Sequence, residues 1–191
     1  MESASGLVII DEAYAEFAGC GVTDLLEQSD RLLITRTMSK AFGLAGLRVG
    51  YAIGAPNLIR EVEKSRGPYK VNAIAERAAV SAIRNDLGWV RANIDAAIIN
   101  RARLIHSLRE LGLDPLPSRA NFVLAPVPKA ERIAHELRAR GIAVRPFDGL
   151  TCAPGTSLAA TGGDALRITV GPWELLTTAL EALSEVLPCF A

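Results

Sequence analysis

The chain has 191 residues, 50% of them hydrophobic and 22% charged, with 16 glycines and 10 prolines, a balance that fits a folded globular chain and excludes low-complexity or disordered classes. Its 21 basic and 21 acidic side chains cancel, which argues against nucleic acid or an anionic membrane surface as a partner. Three scattered cysteines (Cys20, Cys152, Cys189) fit neither a disulfide framework nor a zinc spacing, the start lacks signal-peptide character, and no stretch approaches the roughly 18 to 20 apolar residues of a membrane span, so a cytoplasmic location is expected.

Leu7 to Ile10 is a short run of branched residues that stops at Asp11 and Glu12, the pattern of a fully buried parallel strand with polar groups at its carboxyl end. Arg31 to Thr35 repeats it and leads into Thr37-Met38-Ser39-Lys40; Val49 to Ile53, between glycines, is a third strand. Ligands in open α/β sheets sit outside the carboxyl ends of strands, which brings Asp11 and Ser39-Lys40 to one crevice.

Pro56 opens a helical stretch with Leu58, Ile59 and Val62 at helical spacing, and Asn72 to Ile83 and Trp89 to Leu111 follow as helices with Trp89 as an anchor at the start of the second. Ile94, Ala97, Ile98, Ile105 and Leu108 form the apolar stripe of that long helix, with Arg101 and Arg103 largely off it. The remainder reads as strand (121 to 124), helix (129 to 140), strand (142 to 145), strand (165 to 170) and helix (173 to 187), a small α+β domain. The boundary falls inside the long helix, giving domains 1–95 and 96–191. His135 lies opposite the apolar stripe of its helix, and His106 has no partner at metal spacing, so no metal site is expected.

Chemistry concentrates around Lys40. Lysine amines condense with carbonyls when their surroundings favour the neutral form, although a single lysine is more often simply solvated. Lys40 keeps informative company: Asp11 and Tyr14 follow one strand, and Ser39 and Arg48 flank Lys40 after another. A carboxylate, a phenol, an amine, a hydroxyl and a guanidinium are the groups that hold pyridoxal 5'-phosphate and bond its aldehyde. Gly43, Gly46 and Gly50 lack the strand-Gly-helix context of a dinucleotide fingerprint.

The blocks LVIIDEAYAEF, LLITRTMSKAFGLAGLRVGYAIG, RGPYKVN, ANFVL, GIAVRPFDGL and ALRITVGPWE occur in the order found in histidinol-phosphate aminotransferases, and from about Leu7 to Leu187 the chain resembles that branch of the aspartate-aminotransferase-like superfamily. The resemblance implies an α/β fold: part of a large cofactor-binding domain with a mainly parallel sheet, then a small α+β domain. It makes Lys40 the lysine that bonds the cofactor and carries the proton, Asp11 the partner of the pyridinium nitrogen, and Tyr14 the partner of the ring's 3'-oxygen. Ser39 and Arg48 become phosphate ligands. Arg167 matches the arginine that clamps the substrate's α-carboxylate, Arg145 a basic residue near its phosphate, and Asn121 a further substrate contact.

The implied reaction is transamination between L-histidinol phosphate and 2-oxoglutarate by a homodimer, with a threonine-phosphate decarboxylase-like enzyme as the alternative. Family members are longer, with an amino-terminal half that supplies phosphate-binding amides, a ring-stacking aromatic and further strands. The chain thus reads as a carboxyl-terminal fragment with an apolar sheet edge, expected to bind the cofactor weakly and to turn over little by itself, or to be a non-catalytic piece.

Overall fold

The computed structural model describes residues 5–190, which fall into two compact units, one up to Ile94 and one from Asp95.

In the first unit β1 (Val8–Asp11) is followed by the short helix α1 (Ala15–Ala18) and a 3-10 turn over Thr23–Gln28. The chain then enters β2 (Leu32–Thr37) and returns along β3 (Gly50–Gly54). The crossover from residue 12 to residue 31 lets β2 run parallel to β1, with Val8 opposite Leu32 and Asp11 opposite Thr35. Between β2 and β3 lie only residues 38–49, too few for a crossover with a helix, so β3 pairs antiparallel, Thr37 facing Gly50. The three-stranded sheet, ordered β1-β2-β3, thus holds one parallel and one antiparallel pair.

Leu32, Leu33 and Ile34 are buried because β2 is the central strand, whereas in β1 Ile9 is 60% exposed. The fully buried reading of β1 is thus corrected: an edge strand of a three-stranded sheet gains cover on one face only. Helix α2 (Pro56–Ser65) starts with proline at its first turn, and α3 (Ala73–Asn85) is capped by Asn72, whose Oδ1 accepts from Ala75 N–H at 2.9 Å. Helix α4 (Leu87–Glu110) follows after Asp86 alone. Trp89, in its first turn, is 59% exposed, which removes its expected anchoring role.

The second unit holds the main core. β4 (Phe122–Pro126), α5 (Ala130–Ala139), β5 (Arg145–Phe147), α6 (Ser157–Ala160), β6 (Ala165–Thr169) and α7 (Trp173–Val186) build an antiparallel sheet, ordered β4-β6-β5, with helices on its apolar face. Val123, Ala125, Leu166 and Ile168 project from that face among Leu104, Leu108, Ile133, Leu137, Leu176 and Leu183. The α4 stripe is anchored by Leu104 and Leu108, while Ile98, expected within it, is 36% exposed. β5 begins three residues later than its sequence pattern predicts. Ile142 N–H still closes the end of α5 on Leu137 O (2.9 Å), with Gly141 at φ +79°, so pairing starts only at Arg145. Pro146, which lacks an N–H, is tolerated because β5 is an edge strand.

Ile133 is fully buried in this cluster, so Ile133→Val is expected to lower unfolding stability by about 0.5–1.5 kcal/mol, read as a shift of the urea midpoint at constant slope. No helix among the described residues is long and apolar enough to cross a membrane.

Candidate functional site

The first unit gathers polar groups at the carboxyl ends of β1 and β2. Asp11 ends β1 with its side chain exposed; Oδ1 accepts from Ala13 N–H at 3.0 Å, an Asx-type turn that sends the chain into α1. Tyr14 is the residue before α1, and its ring centroid lies 5.7 Å from Lys40 Nζ, within cation–π range.

On the neighbouring strand Thr37 organises the turn. Its Oγ1 accepts from Ser39 N–H (3.1 Å) and donates to Val49 O (3.4 Å), while Met38 N–H donates to Val49 O at 3.1 Å. Met38 is buried beneath the turn, which leaves Ser39 half-buried and Lys40 exposed. Gly43, at φ +70°, completes the bend with its N–H on Lys40 O (3.1 Å), a left-handed position that suits glycine.

Arg48 stands at φ +56°, one of two non-glycine residues in the left-handed region among those described. Its Nη1 donates to Ala45 O at 2.9 Å, and the other donors of the guanidinium fork remain for a ligand. Asp11, Ser39, Lys40 and Arg48 border one open depression of about 360 Å³. A larger one, about 700 Å³, lies at the opposite end of β2 between residues 26–31 and 54–56 and contains none of these groups.

The second unit presents two arginines on the sheet face away from the core. Arg145 and Arg167 are directly opposite across β5 and β6. Arg167 is half-buried with its guanidinium 4.6 Å from the Phe122 ring centroid, and Arg145, more exposed, lies 5.0 Å from that of Phe147. Neither makes a salt bridge among the described residues, so two like charges face each other without a protein counter-ion.

Asn121 immediately precedes β4, and its backbone carbonyl accepts from Val170 N–H at 2.8 Å. The bracing around it was not legible in sequence. Arg101 Nη1 donates to Ala120 O (2.8 Å) and Asn100 Nδ2 to Gly171 O (2.9 Å), while burial and then the nearby Arg119 push the Arg101 pKa down. An arginine off the apolar stripe but among apolar neighbours was the available hint.

Glu12 and Arg36 were also missed. Glu12 is only 6% exposed and ion-pairs with Arg36. An arginine in the middle of the run LLITRT, on a central strand, is the signal that a buried partner exists. The remaining groups are unremarkable: the three cysteines form no disulfide, and His106 Nε2 sits 3.4 Å from Glu110 Oε1 on an exposed helix face. No cluster of three or more metal-ligating side chains occurs among the described residues.

Residues 1–183 match the family model of aminotransferase class I and II. A histidinol-phosphate aminotransferase of Thermoanaerobacter sp. is 35% identical over 188 residues, which is 98% of this chain and 50% of that protein. In structure, the histidinol-phosphate aminotransferase of Sinorhizobium meliloti in complex with pyridoxal-5'-phosphate superposes with a TM-score of 0.79 at 27% identity, over 97% of this chain and 50% of that one. A decarboxylase from Sulfurospirillum multivorans gives a TM-score of 0.79 at 26% identity, over 95% and 52%. The chain spans about half the length of the curated relatives it matches.

Proposed function

Because the chain belongs to the aminotransferase class I and II family, we propose that it forms the lysine-bearing part of a pyridoxal 5'-phosphate enzyme that moves an amino group between L-histidinol phosphate and 2-oxoglutarate. The observation that carries this reading is the convergence of Asp11, Ser39, Lys40 and Arg48 on one depression, with Tyr14 beside Lys40. This donor set matches the chemistry of the cofactor: an amine for its aldehyde, a carboxylate for its ring nitrogen, and a hydroxyl with a guanidinium for its phosphate.

When bound, the cofactor supplies the aldehyde and an electron-accepting ring. The protein's part follows from the residues. Asp11 keeps the ring nitrogen protonated, using the carboxylate oxygen not engaged by Ala13. Tyr14 donates to the ring's 3'-oxygen. Ser39 and Arg48 anchor the phosphate. Lys40 would hold the cofactor through its aldehyde and, as a free amine, would be the base positioned to carry a proton to and from the substrate's α-carbon.

In this reading residues 1–95 are part of the large cofactor-binding domain and 96–191 the small domain, and the working enzyme is a homodimer. Arg167 takes the α-carboxylate of glutamate and 2-oxoglutarate, Arg145 the phosphate of histidinol phosphate, which carries no carboxylate, and Asn121 is a further substrate contact. An uncompensated arginine pair is what the dianionic phosphate of histidinol phosphate or the two carboxylates of 2-oxoglutarate would neutralise. The likeness to a decarboxylase favours one second reading, a threonine-phosphate decarboxylase-like reaction, which would release carbon dioxide from threonine phosphate.

The test is chemical. The chain is incubated with pyridoxal phosphate, reduced with borohydride and digested, and the pyridoxyl group is located by mass spectrometry. Label concentrated on the Lys40 peptide is the expected result, even if binding is weak. Label spread evenly over the lysines would defeat the assignment. Amino transfer from histidinol phosphate, against carbon dioxide release from threonine phosphate, separates the two reactions.

A further inference from the structure

The ion pair of buried Glu12 with partly buried Arg36 lies between the two strand ends that carry the site and takes no part in the chemistry proposed for it. Strand alternation sends Asp11 and Glu12 to opposite faces of the sheet, with Asp11 on the side of its register partner Thr35 and Glu12 on the side of Arg36. Arg36 Nε and Nη2 both donate to Glu12 Oε2, at 2.8 and 2.7 Å. Val22 N–H donates to Oε1 at 2.6 Å, and the backbone N–H of Glu12 donates to Thr35 O at 2.8 Å. One residue thereby ties together the end of β1, the carboxyl end of β2 and the loop after α1.

That loop closes over the pair. A Cβ on Gly21 would lie 2.9 Å from Arg36 Nη2 and 3.1 and 3.2 Å from the two Glu12 oxygens, so a side chain there would push against the ends of the paired side chains. The Arg36 pKa is raised, chiefly by the hydrogen bond to Glu12, with burial opposing it and Tyr51 adding to it.

The location matters for the site. Asp11↔Thr35 is the last registered pair of the β1–β2 ladder, and strand ends are where pairing frays. The links from Glu12 to Thr35 and Arg36 fall immediately beyond it. Arg36 is three residues before Ser39 and four before Lys40, on the same strand as Thr37, whose hydroxyl holds the turn. Arg36 also pairs the charge of Glu12, which leaves Asp11 as the carboxylate that faces the ring nitrogen.

We propose that Glu12 and Arg36 are positioning residues that hold Asp11 in register with Ser39 and Lys40, so that the cofactor meets its ring and aldehyde partners together; this rests on the cofactor reading given above. Arg36 borders the depression, but its guanidinium is engaged by Glu12, and the pair acts through the strand ends it joins. Their effect is on the relative placement of two strand ends, for which tolerance at a functional site is well below an ångström.

The experiment uses the full chain and three variants: Glu12→Gln, which keeps shape and removes charge; Arg36→Lys, which keeps charge and loses the fork; and Gly21→Ala, which presses on the pair without altering it. Each is incubated with pyridoxal phosphate below its melting temperature and reduced with borohydride, and the labelling rate of Lys40 is compared with that of the other lysines. Glu12→Gln and Arg36→Lys are expected to lower the Lys40 rate about tenfold while other lysines keep theirs, since an ammonium cannot replace two guanidinium donors. Gly21→Ala should give a smaller loss in the same direction.

A pair that only stabilised the fold would lower the melting temperature and leave the preference for Lys40 unchanged below it, and that result would overturn the proposal. Should Glu12→Gln or Arg36→Lys not fold, a folded Gly21→Ala with wild-type labelling overturns it equally. Absence of a Lys40 preference in the unaltered chain overturns the cofactor reading first and this inference with it, so the two failures are told apart by the wild-type measurement alone.

Discussion

Substituting Arg167 by Gln is expected to lower kcat/KM of the cofactor-loaded protein about 30- to 5,000-fold for every amino-acid and oxo-acid substrate, the counterpart of about 2–5 kcal/mol for losing one partner of a desolvated charge pair. Glutamate and 2-oxoglutarate share the α-carboxylate and should lose alike, whereas histidinol phosphate, which carries none, should lose less. Arg167 suits that task because it is half-buried on the central strand of its sheet, held by the ladders to β4 and β5, and set against Phe122. Arg145→Gln should behave differently, weakening phosphorylated substrates while leaving glutamate nearly unchanged. Removing one of two facing arginines also relieves repulsion, so Arg145→Gln is expected to leave stability unchanged or slightly raised. Equal losses for glutamate and histidinol phosphate would remove Arg145 from the phosphate site, and a falling melting temperature would show that the guanidinium serves the fold.

Gly163→Ala is expected to destabilise the second unit by about 2–6 kcal/mol, combining backbone strain with overpacking, and to lower the urea midpoint of the full chain accordingly. Gly163 has φ +89°, and a Cβ there would stand 2.5 Å from both the nitrogen and the oxygen of Leu150. These are backbone atoms that cannot swing aside, because Leu150 N–H donates to Gly163 O at 3.0 Å. The adjacent Asp164 accepts from Lys129 N–H at 3.0 Å and from Gly149 N–H at 3.4 Å, so the contact fastens the segment that follows Arg145 and β5. Hydrogen exchange should therefore rise first in residues 147–150. A midpoint within about 0.5 kcal/mol of wild type would mean that this crossing relaxes easily.

Asp11, Tyr14, Ser39, Lys40 and Arg48 were legible because local chemistry puts them where they are: apolar runs of four to six residues make strands, and the polar residues after them fall at strand ends. The helices were equally legible from proline at a first turn, an asparagine cap and the 3.6-residue period. Where local signals competed, the pattern misled. Ile142 to Val144 look like a strand by composition, but the hydrogen bonds that close α5 claim that stretch first.

The sequence by itself determined most of the strands and helices, the aminotransferase family, and the group of polar residues around Lys40, since each depends on neighbours a few positions away. Only the tertiary structure decided that Arg145 faces Arg167, that β3 returns antiparallel, that Leu150 crosses over Gly163, and that Glu12 is buried against Arg36 24 positions later. Those facts depend on register and on which strand becomes an edge. They arise when distant segments share limited space, so no window of the sequence contains them.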